Sequence, residues 1–310
     1  MIDMDIIREV DDSICDNKLV PYWTGINIIG VNTDKPAVNY KVYYQLRCPL
    51  FLNDAFDKES ICKLNSILLS KMGKILSVDI SRLLGNDEFV FCNVATKPVA
   101  SYRERTAFAI RISNHNYKSA FVDIRDFLVQ QLNTSSSIIE KIYGVAYRIF
   151  KDNHFKTFPI GLIGINKYEK NDIPYAQIYI TNNPDTTLGN INQISKKNAL
   201  QNTLSIINAL SLNIDLRELS ELVEFAYSKN AFLSINGIDI YMDKIKKFKL
   251  YFRFNNIINV SKALNIFSEK ISILDKMPIQ YTDDIIDFIA FTFVPKGEEF
   301  IFDGIQIYQR

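Results

Sequence analysis

Apolar and polar residues alternate with a period of two in five separate stretches of the chain, the pattern of half-buried β-strands. Each stretch holds two strands. The first members include Ile26–Val31, Phe89–Val94, Gly161–Ile165, Phe232–Ile238 and Phe288–Val294. The second members are Lys41–Arg47, Arg105–Arg111, Tyr175–Thr181, Lys249–Phe254 and Ile305–Arg310. Turn chemistry separates them at Thr33-Asp34-Lys35-Pro36, Lys167 to Pro174 and Pro295-Lys296-Gly297. Every second strand is aliphatic or aromatic on one parity and carries Lys, Arg, Gln or Tyr on the other. The hairpins begin near Thr24, Glu88, Pro159, Ala231 and Ile286, so subtraction gives spacings of about 64, 71, 72 and 55 residues, an irregular internal repeat.

Between the hairpins the period lengthens to that of an amphipathic helix. Asp57–Leu84 places Ile61, Leu64, Ile67, Leu68 and Met72 on one face. The same spacing recurs over Phe121–Leu132, Ile138–Ile149, Ala199–Leu212, Leu216–Tyr227 and Val260–Leu274. Ser136, Ser137 and Asp215 read as helix caps. No linker composition interrupts the succession, which predicts one α+β domain over residues 1–310 built from repeated αββα units. Ten antiparallel strands with helices over their apolar faces can close into a β-barrel, which leaves no sheet edge exposed. The barrel's interior would then collect Asn27, Lys41, Tyr43, Gln45, Arg47, Arg105, Arg111, Gln177, Tyr179, Lys249, Tyr251, Arg253, Gln306 and Tyr308.

Composition narrows the partners. An apolar share of 47% with 12% aromatic residues supports a substantial core. A net charge of +1 supplies no global field for nucleic acid or an acidic membrane. Cys15, Cys48, Cys62 and Cys92 lie far apart without zinc-ligand spacing and read as free thiols in a reducing compartment. With no signal pattern at the N-terminus and no apolar run near the ~20 residues a membrane span needs, the expectation is a soluble, cytoplasmic protein with no membrane partner.

The interior parity set mixes cations with phenols. Arg and Lys hold phosphate oxygens through charge-assisted hydrogen bonds, and aromatic faces stabilise a cation through their quadrupoles. Together they suit a ligand that carries a polyanion beside a developing carbocation. A single Arg or Lys on a strand is usually solvated or paired with an acid; recurrence on one parity across the hairpins carries the reading. Asp283-Asp284-Ile285-Ile286-Asp287 fits a DDxxD metal–diphosphate pattern, but it occurs once, beside a strand, and reads as a capping turn. His115 and His154 read as loop residues, and Lys244–Lys249 as a solvated basic patch at a hairpin turn.

The order of hairpins and helices from about Pro21 onward resembles the ABBA-fold prenyltransferases, also called PT barrels. The local likenesses are Thr106–Ile112, Tyr251–Asn255 and Asp303–Tyr308, with the peptide-modifying enzymes of cyanobactin biosynthesis the branch it looks most like. The resemblance implies transfer of a dimethylallyl or geranyl group from an allylic diphosphate donor to a side chain of a cyclic ribosomal peptide. It carries diphosphate binding to Lys41, Arg105, Arg111, Lys249 and Arg253, and shielding of the allyl cation to Tyr43, Tyr179, Tyr251 and Tyr308. Glu104, Asp239 and Asp287 are the candidate bases. Mg2+ escorting the diphosphate is the one cofactor left open, and no organic cofactor is implied. Two positions depart from the family: no acid stands near Ile26-Asn27, where tyrosine-modifying members have a glutamate, and Gln306 stands where a basic residue is expected. The first departure points to an acceptor other than tyrosine, with a Trp carbon or a side-chain nitrogen such as Arg as candidates. Two further readings stay in view: a prenyltransferase of small indoles or phenols, and a non-catalytic module that stacks single-stranded nucleic acid on Tyr and Phe, which the near-neutral charge disfavours.

Overall fold

The computed structural model describes residues 20–31, 33, 37–45, 90–91, 93–96, 106–111, 117–167, 174–185, 194–271, 274 and 283–309. At 20–24, 37, 39–45, 90–91, 93–96, 106–111, 117–120, 161, 162 and 167 the description is of the backbone. The expected helix at 57–84, Arg105, Glu104 and His115 lie outside the described residues.

Among the described residues eleven strands form one antiparallel, curled sheet. They are β1 (Val20–Ile29), β2 (Ala37–Gln45), β3 (Val90–Phe91), β4 (Asn93–Thr96), β5 (Thr106–Arg111) and β6 (Ile160–Lys167). β7 (Tyr175–Thr181), β8 (Ala231–Tyr241), β9 (Lys244–Phe254), β10 (Ile286–Lys296) and β11 (Glu299–Gln309) complete it. The order is β3-β5-β6-β7-β8-β9-β10-β11-β1-β2-β4. Its two ends, β3 against β5 and β4 against β2, are separated in the chain by Cys92 alone. Among the described residues five helices accompany the sheet: α1 (Tyr117–Leu132), α2 (Ser136–Asp152), α3 (Lys196–Ala209), α4 (Leu216–Ser228) and α5 (Val260–Ser268).

The apolar parity faces the helices. Ile178 and Ile180 of β7, Phe248, Leu250 and Phe252 of β9, Ile289 and Phe291 of β10, and Ile305 and Ile307 of β11 are all buried in one core with helical residues such as Leu219, Val223 and Phe267. Aromatic edges bind the layers: Phe267 of α5 packs 4.9 Å from Phe291 and 6.1 Å from Phe254 between ring centroids. One polar seam crosses this core. Asn236 of β8 accepts from the Thr203 hydroxyl of α3 at 2.9 Å and donates to Asn182 at 3.1 Å, so its buried amide is partnered on both sides.

Several boundaries differ from expectation for local reasons. The basic run Lys244–Lys249 is strand, because the chain reverses earlier, at Met242-Asp243, with Met242 at φ 54°. Lys244 and Lys246 are indeed exposed, and the Lys246 ammonium sits 4.1 Å from the centre of the Tyr241 ring. Asp215 caps α4 by accepting from the Arg217 and Glu218 amides. Ser136 does not cap α2; Ser135 occupies the cap position and the Ser136 hydroxyl donates to Glu140. α3 stops at Ala209, before Leu212, where Ser211 turns to φ 54°, and α5 stops at Ser268, before Leu274.

Candidate active site

The face of the sheet turned away from the helices carries the polar parity, and cross-strand register decides which of its residues meet. Tyr179 of β7 stands opposite Gly237 of β8, Gly237 opposite Lys249 of β9, and Lys249 opposite Thr292 of β10. Gln177 stands opposite Asp239, one step along. On the far side, Tyr251 pairs with Ala290, Ala290 with Gln306, and Gln306 with Asn27.

Tyr251 occupies the centre of this face. Its ring centroid lies 5.8 Å from Tyr179, 5.9 Å from Tyr308 and 6.4 Å from Phe288. Gly237 makes the seat: a Cβ there would fall 2.8 Å from Tyr251 Cε2, so any side chain would displace the ring. Burial, then the neighbouring Tyr179 and Tyr308 hydroxyls and the Asp239 carboxylate, push the Tyr251 hydroxyl well above the ordinary tyrosine range. It therefore stays protonated, and among the described residues its hydroxyl has no hydrogen-bond partner. Tyr251→Phe removes an unsatisfied buried hydroxyl while keeping the ring. The expected result is unchanged or increased stability, by up to about 1 kcal/mol, in urea denaturation.

Two buried ion pairs border the rings. Lys249 Nζ donates to both Asp239 oxygens at 3.0 and 2.9 Å, and the side chains are 3% and 2% exposed. Gln177 Nε2 donates to Asp239 Oδ1 at 2.7 Å. Arg253 donates to Asp287 Oδ1 at 2.9 Å, and its guanidinium lies 5.0 Å from the centre of the Phe288 ring. A low-dielectric site that holds each described cation against a carboxylate keeps the charges ordered without water.

Of the expected site residues, the structure gathers Tyr179, Tyr251, Tyr308, Lys249 and Arg253 on this one face, together with Asp239 and Asp287. The two aspartates, read as candidate bases, are each engaged by a cation. Lys41 lies on β2 opposite Gly25, Tyr43 on β2 opposite Trp23, and Arg111 on β5 opposite Leu162; their placement is one of backbone register. Through Leu162 and Tyr179, Arg111 belongs to the same cross-strand row as Lys249. The two departures from the family meet, since Asn27 and Gln306 are register partners and both are buried. Phe288 is a member that sequence reading missed. Asp284 and Asp287 of the DDxxD stretch diverge: Asp284 accepts from Gln309 Nε2 at 2.8 Å, whereas Asp287 faces Arg253. Among the described residues no three His, Cys, Asp or Glu side chains group together. No described helix is long and apolar enough to cross a membrane.

No family model matches the sequence, and no curated protein matches it. Solved structures do share its fold. The apo form of the prenyltransferase PriB is 10% identical, superposes with a TM-score of 0.51 and covers 94% of this chain and 80% of its own. PriB in its ternary complex with L-tryptophan and dimethylallyl thiolodiphosphate gives a TM-score of 0.55 at 10% identity, covering 93% of this chain and 79% of its own. The 6-dimethylallyltryptophan synthase from Micromonospora olivasterospora, in complex with DMASPP and Trp, gives 0.52 at 9% identity, covering 92% and 81%. At this identity the likeness establishes the fold.

Proposed function

We propose that this chain is a prenyltransferase that moves a dimethylallyl or geranyl group from an allylic diphosphate to a side chain of a peptide. The reaction would take place inside a ten-stranded barrel, within a single unit, with β3 and β4 counted as one strand that joins β5 to β2. The observation that carries the reading is the cluster of Tyr179, Tyr251, Tyr308 and Phe288 beside buried Lys249 and half-buried Arg253, in a fold shared with tryptophan prenyltransferases. Ionisation of the allylic C–O bond separates a diphosphate from a delocalised cation. Ring faces fixed on one side and cations on the other stabilise that separation without reorganising. Lys249 and Arg111 share a cross-strand row, and together with Lys41, Arg105 and Arg253 they are the residues proposed to hold the diphosphate. Mg2+ would accompany the diphosphate and offset part of its charge.

The acceptor position is neutral. Asn27 presents an amide where a carboxylate is expected, which favours a nucleophile that attacks before it loses a proton, such as an indole carbon, while its register partner Gln306, in place of a basic residue, leaves the diphosphate without a cation on that strand. A second reading, a small aromatic acceptor in place of a peptide, draws its support from the bound tryptophan named for PriB and the Micromonospora enzyme. Peptides bearing one Tyr, Trp, Arg or His each, and free tryptophan, incubated with dimethylallyl and geranyl diphosphate and read by mass spectrometry, test both. Prenylation of a Trp or Arg peptide supports the peptide reading, modification of free tryptophan alone supports the second, and O-prenylation of the Tyr peptide alone contradicts the inference from the missing glutamate. Arg111→Ala is expected to weaken donor binding roughly ten- to a hundredfold in calorimetry, the loss of one charge-assisted hydrogen bond of ~1.5–3 kcal/mol.

A further inference from the structure

The two tyrosines that flank Tyr251 are held in the same way. Gln177-Ile178-Tyr179 on β7 and Gln306-Ile307-Tyr308 on β11 are the same tripeptide. In a strand, residues two apart share a face, so each Gln lies beside its Tyr. The Tyr179 hydroxyl donates to Gln177 Oε1 at 2.8 Å, and the Tyr308 hydroxyl donates to Gln306 Oε1 at 2.9 Å. Tyr251 has Lys249 at the equivalent position, an ammonium with no acceptor, and its hydroxyl goes unpartnered.

The direction of these hydrogen bonds is forced at Gln177. An ionised Asp239, held by Lys249, can only accept, so the Gln177 amide must turn Nε2 toward it. That leaves Oε1 facing Tyr179, whose hydroxyl must then be the donor. A phenol that donates a hydrogen bond gains electron density on its oxygen and ring, and an acceptor amide polarised by a carboxylate is a stronger acceptor. The chain Asp239–Gln177–Tyr179 therefore passes negative character to a ring whose neighbour is the central Tyr251.

We propose that Gln177 and Gln306 are positioning residues of the prenyl transfer: each fixes the hydroxyl of its tyrosine as a donor and thereby presents a locked, electron-rich ring to the allyl cation. This rests on the prenyltransferase reading. Neither glutamine needs to touch the reacting atoms. Each acts through its tyrosine, so its effect is confined to the step in which positive charge develops.

A double-mutant cycle separates this role from a structural one. Gln177→Met keeps the volume and removes the acceptor. It is expected to lower kcat for dimethylallyl diphosphate consumption about tenfold, one hydrogen bond's share of transition-state stabilisation, with the donor KM within about twofold. Tyr179→Phe should do the same, and the double variant should be no slower than either single one. Gln306→Met with Tyr308→Phe provides an independent cycle away from the Lys249–Asp239 pair, and decides the matter if Gln177→Met fails to fold. Multiplicative rate losses in the cycle, or a rise in KM with kcat unchanged, overturn the proposal while leaving the prenyltransferase reading intact. A wild-type protein that binds neither dimethylallyl diphosphate nor its thiolodiphosphate analogue overturns that reading, and this proposal with it.

Discussion

Tyr251→Leu is expected to lower the rate of dimethylallyl diphosphate consumption about 30-fold or more, whereas Tyr251→Phe keeps most of it. The Tyr251 ring lies within 6.4 Å of the Tyr179, Tyr308 and Phe288 rings, at the middle of the cluster. A desolvated cation–π contact is worth about 2 kcal/mol or more, which converts to that factor. Leucine fills much of the volume without a quadrupole, so the loss is one of charge stabilisation and falls on kcat. The measurement is a pair of steady-state curves with a thermal melt of each variant. Equal rates for Leu and Phe would show that the ring acts by packing alone.

The second large effect is on stability. Asp239→Ala is expected to destabilise the fold by about 3–5 kcal/mol, because it strands the Lys249 ammonium in a site where both side chains are almost fully enclosed. Lys249→Met strands the carboxylate and should cost a similar amount, about 3–5 kcal/mol. Gln177 also loses its partner in Asp239→Ala, which adds an unsatisfied amide. Replacing both members with apolar residues, Asp239→Leu with Lys249→Met, should recover most of the loss. Guanidinium denaturation of the four proteins checks this: single variants as stable as the wild type would mean that the pair is hydrated and not locked.

Much of this arrangement is legible in the chain. Period-two alternation on β7 and β9 assigned Tyr179 and Tyr251 to one face and Ile178 and Leu250 to the other, because a one-residue slip would bury the charged set. The hydrogen-bonded pairs were less visible. Lys249 meets Asp239 only because the hairpin turns at Met242-Asp243, which places Gly237 opposite Lys249. That turn uses a methionine at positive φ where Gly or Asn would announce it, so the basic run that follows was the more obvious turn. Phe288 was hidden differently. The polar-face parity of β10 holds Phe288, Ala290 and Thr292, nearly as apolar as the core parity of Ile289, Phe291 and Phe293, and the register shift between Ile286 and Phe288 further blurs the alternation. Gln177 and Gln306 were legible as a repeated Gln-Ile-Tyr; that each glutamine binds its own tyrosine depends on rotamers, which only the assembled sheet dictates.

On the proposed reading, one face of the sheet divides a diphosphate from the carbocation it releases. The most direct measurement is a crystal structure with dimethylallyl S-thiolodiphosphate, an analogue that binds without ionising. The expected density has the allyl carbons against the rings of Tyr179, Tyr251 and Tyr308 and the diphosphate on the row that carries Arg111 and Lys249. An analogue bound outside that face, or with its diphosphate against the aromatic cluster and its allyl carbons on the ion pairs, would contradict the account.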